Sequence, residues 1–285
     1  MFKTYYQLTK PGIIYGNDIT VAAGFLLASR GHVDWVLFVA TLVGISLVIA
    51  SACVFNNFLD RGIDERMQRT SKRALVTGEV SPQSALVYAS VLGVLGFWVL
   101  AFFTNILVII IGFIGIIDYI VLYGITKRRS TFGTLVGSIS GATPIAAGYV
   151  AASGRFDSSA LILFLIMAVW QMPHFYAIAM YRLKDYSNAG IPVLPAVKGM
   201  HSAKVQIVFY TGLFVLACQA LSVLGHAGNV YRGLTLAISA WWLWLGLMGF
   251  KKDTDDKRWA RKMFFVSLAV MLVLSVAVAV GSTLP

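Results

Sequence analysis

Asn56, Asp60 and Asp64 are spaced four residues apart, and Asn57 precedes Asp60 by three. On one continuous helix these positions share a face. Their side-chain oxygens would converge on a single point just outside an apolar stretch. Clustered hard oxygens suit Mg²⁺, which takes one or two carboxylates and completes its shell with phosphate oxygens and water. Four bases follow, Arg66, Arg69, Lys72 and Arg73. That order of acids and bases could grip an anion together with its metal. The plainer alternative is a polar loop at a helix end whose acids and bases pair among themselves. Two amides still inside the apolar stretch count against it, because buried amides in a membrane are costly without partners.

A second constellation lies about 125 residues on. The stretch YRLKDYSNAGIPVLP, 181–195, carries Arg182, Lys184, Asp185 and Asn188. Gly190, Pro192 and Pro195 predict that the helix breaks there into a loop. A third polar run, KRRS at 127–130, adds Lys127 and Arg128. His174 sits inside an apolar segment beside Pro173, which predicts a kink. As an ionisable group inside the membrane it is a functional candidate, against the alternative of a histidine bonded between helices. Asp18 and Asp118 are also intramembrane acids, and the sequence assigns neither a role.

These residues need membrane helices to position them. The chain has 285 residues, 58% hydrophobic and only 12% charged, with a mean hydropathy of +0.78. Soluble domains carry about 25% charged residues, which excludes an ordinary soluble globule. Nine apolar runs are long enough to span a bilayer, at about 12–29, 36–55, 84–103, 105–125, 131–151, 159–180, 205–224, 230–250 and 263–281. The prediction is an all-α integral membrane protein, a single domain over 1–285, with nine helices around a central lipid-level cavity. The first run is read as an uncleaved helix, since Asn17 and Asp18 interrupt any signal-peptide core.

Of the 23 Lys and Arg residues, all but Arg30, Arg155 and Arg232 fall on one side of this layout. Basic loops stay in the cytoplasm, which predicts an inside N-terminus and an outside C-terminus. The net charge of +11 therefore marks topology and anionic lipid, and no nucleic-acid partner is expected. All three polar runs face the same side. Cys53 and Cys218 both lie in apolar runs and are expected as inert buried thiols. GTLVGSISGATPIAAG, 133–148, predicts close helix packing through small residues. Trp241, Trp242 and Trp244 are expected at an interface or in packing.

The motifs themselves resemble a family. NNFLDRGID, 56–64, resembles the first aspartate-rich motif of the UbiA-type intramembrane prenyltransferases, and YRLKDYSNAGIPVLP resembles their second. KPGIIYGN, 10–17, is similar to the start of their first helix. VFNNFLDRGIDERMQRT, KRRSTFGTLVGSISGATP, WQMPHFYAIAMYRLKDY and AGIPVLPAVKG place the resemblance in the branch that farnesylates heme, and it covers nearly the whole chain. That resemblance implies transfer of farnesyl from farnesyl diphosphate to a vinyl group of heme b, followed by water addition, in a bacterial plasma (inner) membrane. It implies Mg²⁺ as cofactor, with Asn57, Asp60, Asp64 and Asp185 as its ligands and Asp60, Asp64 and Asp185 as catalytic acids. Asn57, Arg66, Lys72, Arg73, Lys127, Arg128, Arg182 and Lys184 are implied to hold diphosphate, with Asn56, Asn188 and Asn17 as secondary positions. His174 is implied as a heme ligand or propionate partner, with Met172 a weaker candidate for iron, and a heme-handling or terminal-oxidase assembly protein is an implied partner. Quinone-type members carry a second acid where Asn188 and Ala189 stand here, which weakens any second metal position. A quinone-precursor prenyltransferase and a transporter of an anionic lipid or metabolite remain the competing functions.

Overall fold

The computed structural model describes residues 2–284. Among them, nine helices are long and apolar enough to cross a membrane: α1 (Pro11–Ser29), α2 (Trp35–Asp64), α3 (Pro82–Phe103), α4 (Ile106–Arg129), α5 (Gly133–Ser153), α6 (Ser158–Tyr181), α7 (Leu194–Val223), α8 (Asn229–Phe250) and α9 (Asp256–Val280). The protein is an all-α integral membrane protein, as the composition predicts. Three short helices sit at the charge-rich end, Phe2–Leu8, Ala74–Thr77 and Leu183–Asn188.

Seven of the nine membrane helices start where the sequence supplies a cap or a proline; α5 and α8 have neither. Asp34 caps α2 by accepting from the Leu37 N–H at 3.0 Å, Asp157 caps α6 and Asn105 caps α4. Pro11 and Pro82 stand in the first turns of α1 and α3, where a missing N–H costs nothing. Gly190 and Pro192 lie in the predicted loop between Leu183–Asn188 and α7, and Pro195 stands in the first turn of a short helical segment at the head of α7. Gly199, at φ 81° and ψ 166°, kinks that segment away from the rest of α7. Pro173 lies within α6, which continues through it to Tyr181.

α5 and α6 form the middle of the bundle. α1 packs against α5, α2 and α9, while α7 and α9 flank α6. The small residues of α5 permit the closest approach. A Cβ on Gly148 would stand 2.1 Å from the Val21 carbonyl oxygen, and one on Gly24 the same distance from that of Ile145. α1 and α5 therefore touch backbone to backbone. The outer faces are apolar, with Val94, Phe102, Phe113, Leu216 and Val276 exposed where lipid would lie. Trp242 is fully buried, edge-on to Phe214 at 5.6 Å, while Trp241 and Trp244 are exposed. Cys53 and Cys218 are buried free thiols.

α2 is the longest reach into the polar region. Its 30 residues span about 45 Å at the helical rise, against a hydrocarbon core of about 30 Å. The last turns therefore project past the apolar layer and carry Asn56 through Asp64 with them. The predicted segment, 36–55, ended where hydropathy ends; the helix continues because its polar side chains find partners.

Candidate active site

Asn56, Asn57, Asp60 and Asp64 are all buried, between 3% and 8% exposed, and they occupy the α2 face that meets α4 and the N-terminal turn. Basic residues from three other segments converge on them. Lys127 and Arg128, at the end of α4, both pair with Asp60, Arg128 at 3.0 Å. Arg73 donates to Asp64 at 2.5 Å and to the Asn57 carbonyl oxygen at 3.2 Å. Lys10 donates to the Asn56 carbonyl oxygen at 2.8 Å. The amides complete the lattice: Asn56 donates to Asp60 at 3.0 Å and Asn57 to the Leu8 carbonyl at 2.8 Å. Every buried amide and carboxyl here has a partner, as burial requires. Two anions thus stand among four cations, a surplus of positive charge suited to receiving a further anion.

α4 presents a second column opposite the first. Tyr119 stacks on Tyr123 at 5.7 Å, and the Lys127 ammonium lies over the Tyr123 ring at 4.9 Å. Tyr119 also donates to Asn56 at 3.4 Å. Sequence reasoning missed both tyrosines and Lys10. Tyrosine in an apolar run carries no mark of the face it occupies. Lys10 did carry a signal, a base directly before Pro11. It is held at φ 54°, ψ 65°, a left-handed backbone that costs a non-glycine residue about 1–2 kcal/mol. Burial pushes its ammonium down to about 8, with Arg73 and Lys127 acting in the same sense and Cys53 and Asp60 opposing.

The second motif follows α6, and Arg69 of the first loop lies within electrostatic reach of its Tyr186. Asp185 pairs with Arg182 at 3.9 Å, and Lys184 and Asn188 are exposed. Among the described residues no three His, Cys, Asp or Glu side chains group closely enough to hold one ion. Tyr123 on α4 lies within electrostatic reach of both Asp60 and Tyr186. Burial raises the Tyr186 hydroxyl and the nearby Arg69 opposes it. Arg66 and Lys72 are exposed at the mouth. Asn17 turns back on its own helix, donating to the Ile13 carbonyl at 2.8 Å.

The donor chemistry fits Mg²⁺. Asp60 and Asp64 lie one helical turn apart with the Asn57 oxygen on the same face, which gives two carboxylates and a neutral oxygen. A dication that completes its shell from phosphate and water needs no more protein than that.

His174 lies elsewhere, between α6 and α9. It stacks on Trp170 at 4.7 Å, and its Nδ1 meets Ser267 Oγ at 2.6 Å. Ser267 spends its one proton on the Phe264 carbonyl at 2.6 Å, so its oxygen must accept from His174. That assigns the proton to Nδ1 and leaves Nε2 with a lone pair and no hydrogen bond among the described residues. Asp18 accepts from Ser46 at 2.7 Å, a tie between α1 and α2.

The chain matches the family model described as the UbiA prenyltransferase family over residues 18–268. It is 52% identical over 286 residues to the protoheme IX farnesyltransferase of Klebsiella pneumoniae, covering all of this chain and 97% of that one. It is 52% identical to protoheme IX farnesyltransferase 2 of Chromobacterium violaceum, of which 94% is covered. Among solved structures, a digeranylgeranylglyceryl phosphate synthase superposes with a TM-score of 0.82 at 21% identity, over 99% of this chain and 98% of that one. A UbiA homologue from Archaeoglobus fulgidus bound to GPP and Mg²⁺ gives 0.73 at 16% identity, over 97% and 99%. At such identities the structures speak for the fold alone.

Proposed function

The chain belongs to the UbiA prenyltransferase family, and we propose that it transfers a farnesyl group from farnesyl diphosphate to a vinyl group of heme b, with water addition, giving heme O and diphosphate. The observation that carries this reading is the buried Asp60–Asp64 pair set among Lys10, Arg73, Lys127 and Arg128. The full-length likeness to protoheme IX farnesyltransferases supports the choice of donor and acceptor.

In this reading Asp60, Asp64 and the Asn57 oxygen would hold Mg²⁺, which would supply charge neutralisation to the diphosphate. Lys127, Arg128 and Arg73 turn from the carboxylates to the phosphate oxygens. They stabilise the negative charge that grows as the allylic C–O bond breaks. Arg66 and Lys72 draw the anion in from the mouth, and Arg182, Lys184 and Asp185 bracket its far end. The farnesyl carbon, left electron-poor, takes the vinyl π electrons to make the new C–C bond. Water then captures the resulting porphyrin-side cation and releases a proton to solvent. Keeping the first step at lipid level protects the farnesyl cation from premature hydrolysis. In the same reading His174, whose Nε2 takes no hydrogen bond among the described residues, would ligate heme iron. The charge-rich end faces the cytoplasm of a bacterial plasma membrane, as the basic residues argue.

The test is turnover by the detergent-purified protein given heme b, farnesyl diphosphate and Mg²⁺, with EDTA as control and products read by mass spectrometry. The expected result is a metal-dependent heme adduct carrying farnesyl plus water. Farnesylation of an aromatic quinone precursor in place of heme overturns the acceptor, and farnesyl diphosphate left intact overturns the reaction.

A further inference from the structure

Asp118 is buried at the middle of α4, and the chemistry above leaves it unused. A carboxyl at that depth is costly, and such groups are kept for a purpose. Only one of its oxygens is paired: Oδ2 accepts from the backbone N–H of Ser140 on α5 at 3.0 Å. Oδ1 finds no partner among the described residues. The Ser140 hydroxyl is taken by the Gly137 carbonyl of its own helix, so the tie runs to the backbone of α5.

Asp118 also opens a local change in α4. Residues Asp118–Leu122 form a π-helical turn, closed by the Tyr123 N–H donating to the Asp118 carbonyl five residues back. Such wide turns are rare and frequently mark functional sites. Here the turn has a geometric use. In a regular α-helix, side chains four residues apart drift by about 40° per step, so a column of three spreads over about 80°. A widened turn takes up part of that drift. Tyr119, Tyr123 and Lys127 keep one column, stacked ring on ring and ammonium over ring, and meet Asn56 and Asp60 of α2. Small residues lock the helices on both sides of Asp118. A Cβ on Gly115 would stand 2.7 Å from Thr143 Oγ1, and one on Gly137 2.8 Å from the Tyr123 ring.

We propose that Asp118 is a positioning residue for the diphosphate site: by accepting the Ser140 N–H it pins the wide turn of α4 to α5 and fixes the rotation at which Tyr119, Lys127 and Arg128 meet α2. The proposal rests on the reading of that site as a prenyl diphosphate site. What α5 requires is an acceptor oxygen, which asparagine also offers.

The experiment compares Asp118→Ala, Asp118→Asn and Ser140→Ala with the parent, measuring KM for farnesyl diphosphate and for heme separately, and thermal unfolding in detergent. Asp118→Ala is expected to raise KM for farnesyl diphosphate by about tenfold or more, with KM for heme within about twofold. Asp118→Asn and Ser140→Ala, which keep acceptor and donor, should match the parent. Equal loss for both substrates, no loss, or an asparagine variant as impaired as alanine each overturns the role. If Asp118→Ala does not fold, Gly115→Ala presses α4 away from Thr143 without touching the site; the same selective rise in KM upholds the proposal and unchanged KM overturns it. A parent that does not use farnesyl diphosphate overturns the functional reading and this role together, whereas a competent parent with an unselective variant overturns this role alone.

Discussion

At the scale of single residues, the site works by opposition: two carboxylates sit where four bases also sit, and the surplus is positive. Asp60 holds Lys127 and Arg128 through both of its oxygens. Asp60→Asn keeps an oxygen and the shape, so the helices should still assemble, but the ligand charge is gone. The expected result is a fall in kcat/KM of about a hundredfold or more with unfolding temperature little changed, and near-parental activity would dismiss the metal role. Lys10 supplies a pH signature. Burial lowers its pKa to about 8, so the free enzyme loses this charge as pH rises through that value. The parent's kcat/KM should decline from pH 7 to 9, and Lys10→Arg, which stays charged, should hold level over the same range. Stability moves the opposite way. The cost of burying a charged ammonium is felt below about 8 and is relieved as pH climbs towards the ordinary lysine value of 10.5. Activity and unfolding temperature measured across one pH series separate the two effects, and profiles for parent and Lys10→Arg that overlay would remove Lys10 from the site.

At the scale of elements, hydropathy marks the membrane-spanning stretches, and the four-residue spacing of Asn56, Asp60 and Asp64 marks the polar continuation of α2 past them. α2 runs on to Asp64 because Asn56, Asn57, Asp60 and Asp64 are each partnered from another segment, and no window of apolar residues records that. Before α7, the loop predicted from Gly190 and Pro192 is present; Pro195 opens the segment that follows, and Gly199 kinks it. The metal motif itself was visible because four-residue spacing survives translation into a helix face. The α4 column was not, since Tyr119 and Tyr123 become distinctive only when α4 is laid against α2. Nor was the His174–Ser267 bond, which joins residues of α6 and α9. The small residues of α5 were read correctly as packing, and their geometry yields a stability prediction. Gly148→Ala drives a methyl into the Val21 carbonyl, and overpacking of that kind costs about 1–3 kcal/mol. Gly16→Ala meets nothing within 4 Å. Thermal unfolding in detergent should fall clearly for Gly148→Ala and hold for Gly16→Ala; equal stability of the two would mean that α1 and α5 do not meet through their backbones.

At the scale of the whole molecule, the polar chemistry is confined to one end of the bundle. The acids of the site, the bases that oppose them and the second motif lie at the ends of α2, α4 and α6, while the opposite end has only Arg30, Arg155 and Arg232 among Lys and Arg. A transporter would need polar groups facing both compartments, whereas an enzyme that draws a charged donor from water and an apolar acceptor from lipid needs one polar mouth. Charge asymmetry of this size predicts an orientation, because basic loops resist translocation. The charge-rich end is therefore expected inside. The two native cysteines are buried, so single cysteines can be introduced without removing them. Glu79→Cys stands at the charge-rich end and Ser153→Cys at the other. In intact cells a membrane-impermeant maleimide should label Ser153→Cys and leave Glu79→Cys unlabelled until the membrane is opened. The reverse pattern would place the diphosphate mouth outside the cell, away from the cytoplasmic pool on which a prenyl diphosphate enzyme depends, and would count against the proposed reaction as well as the topology.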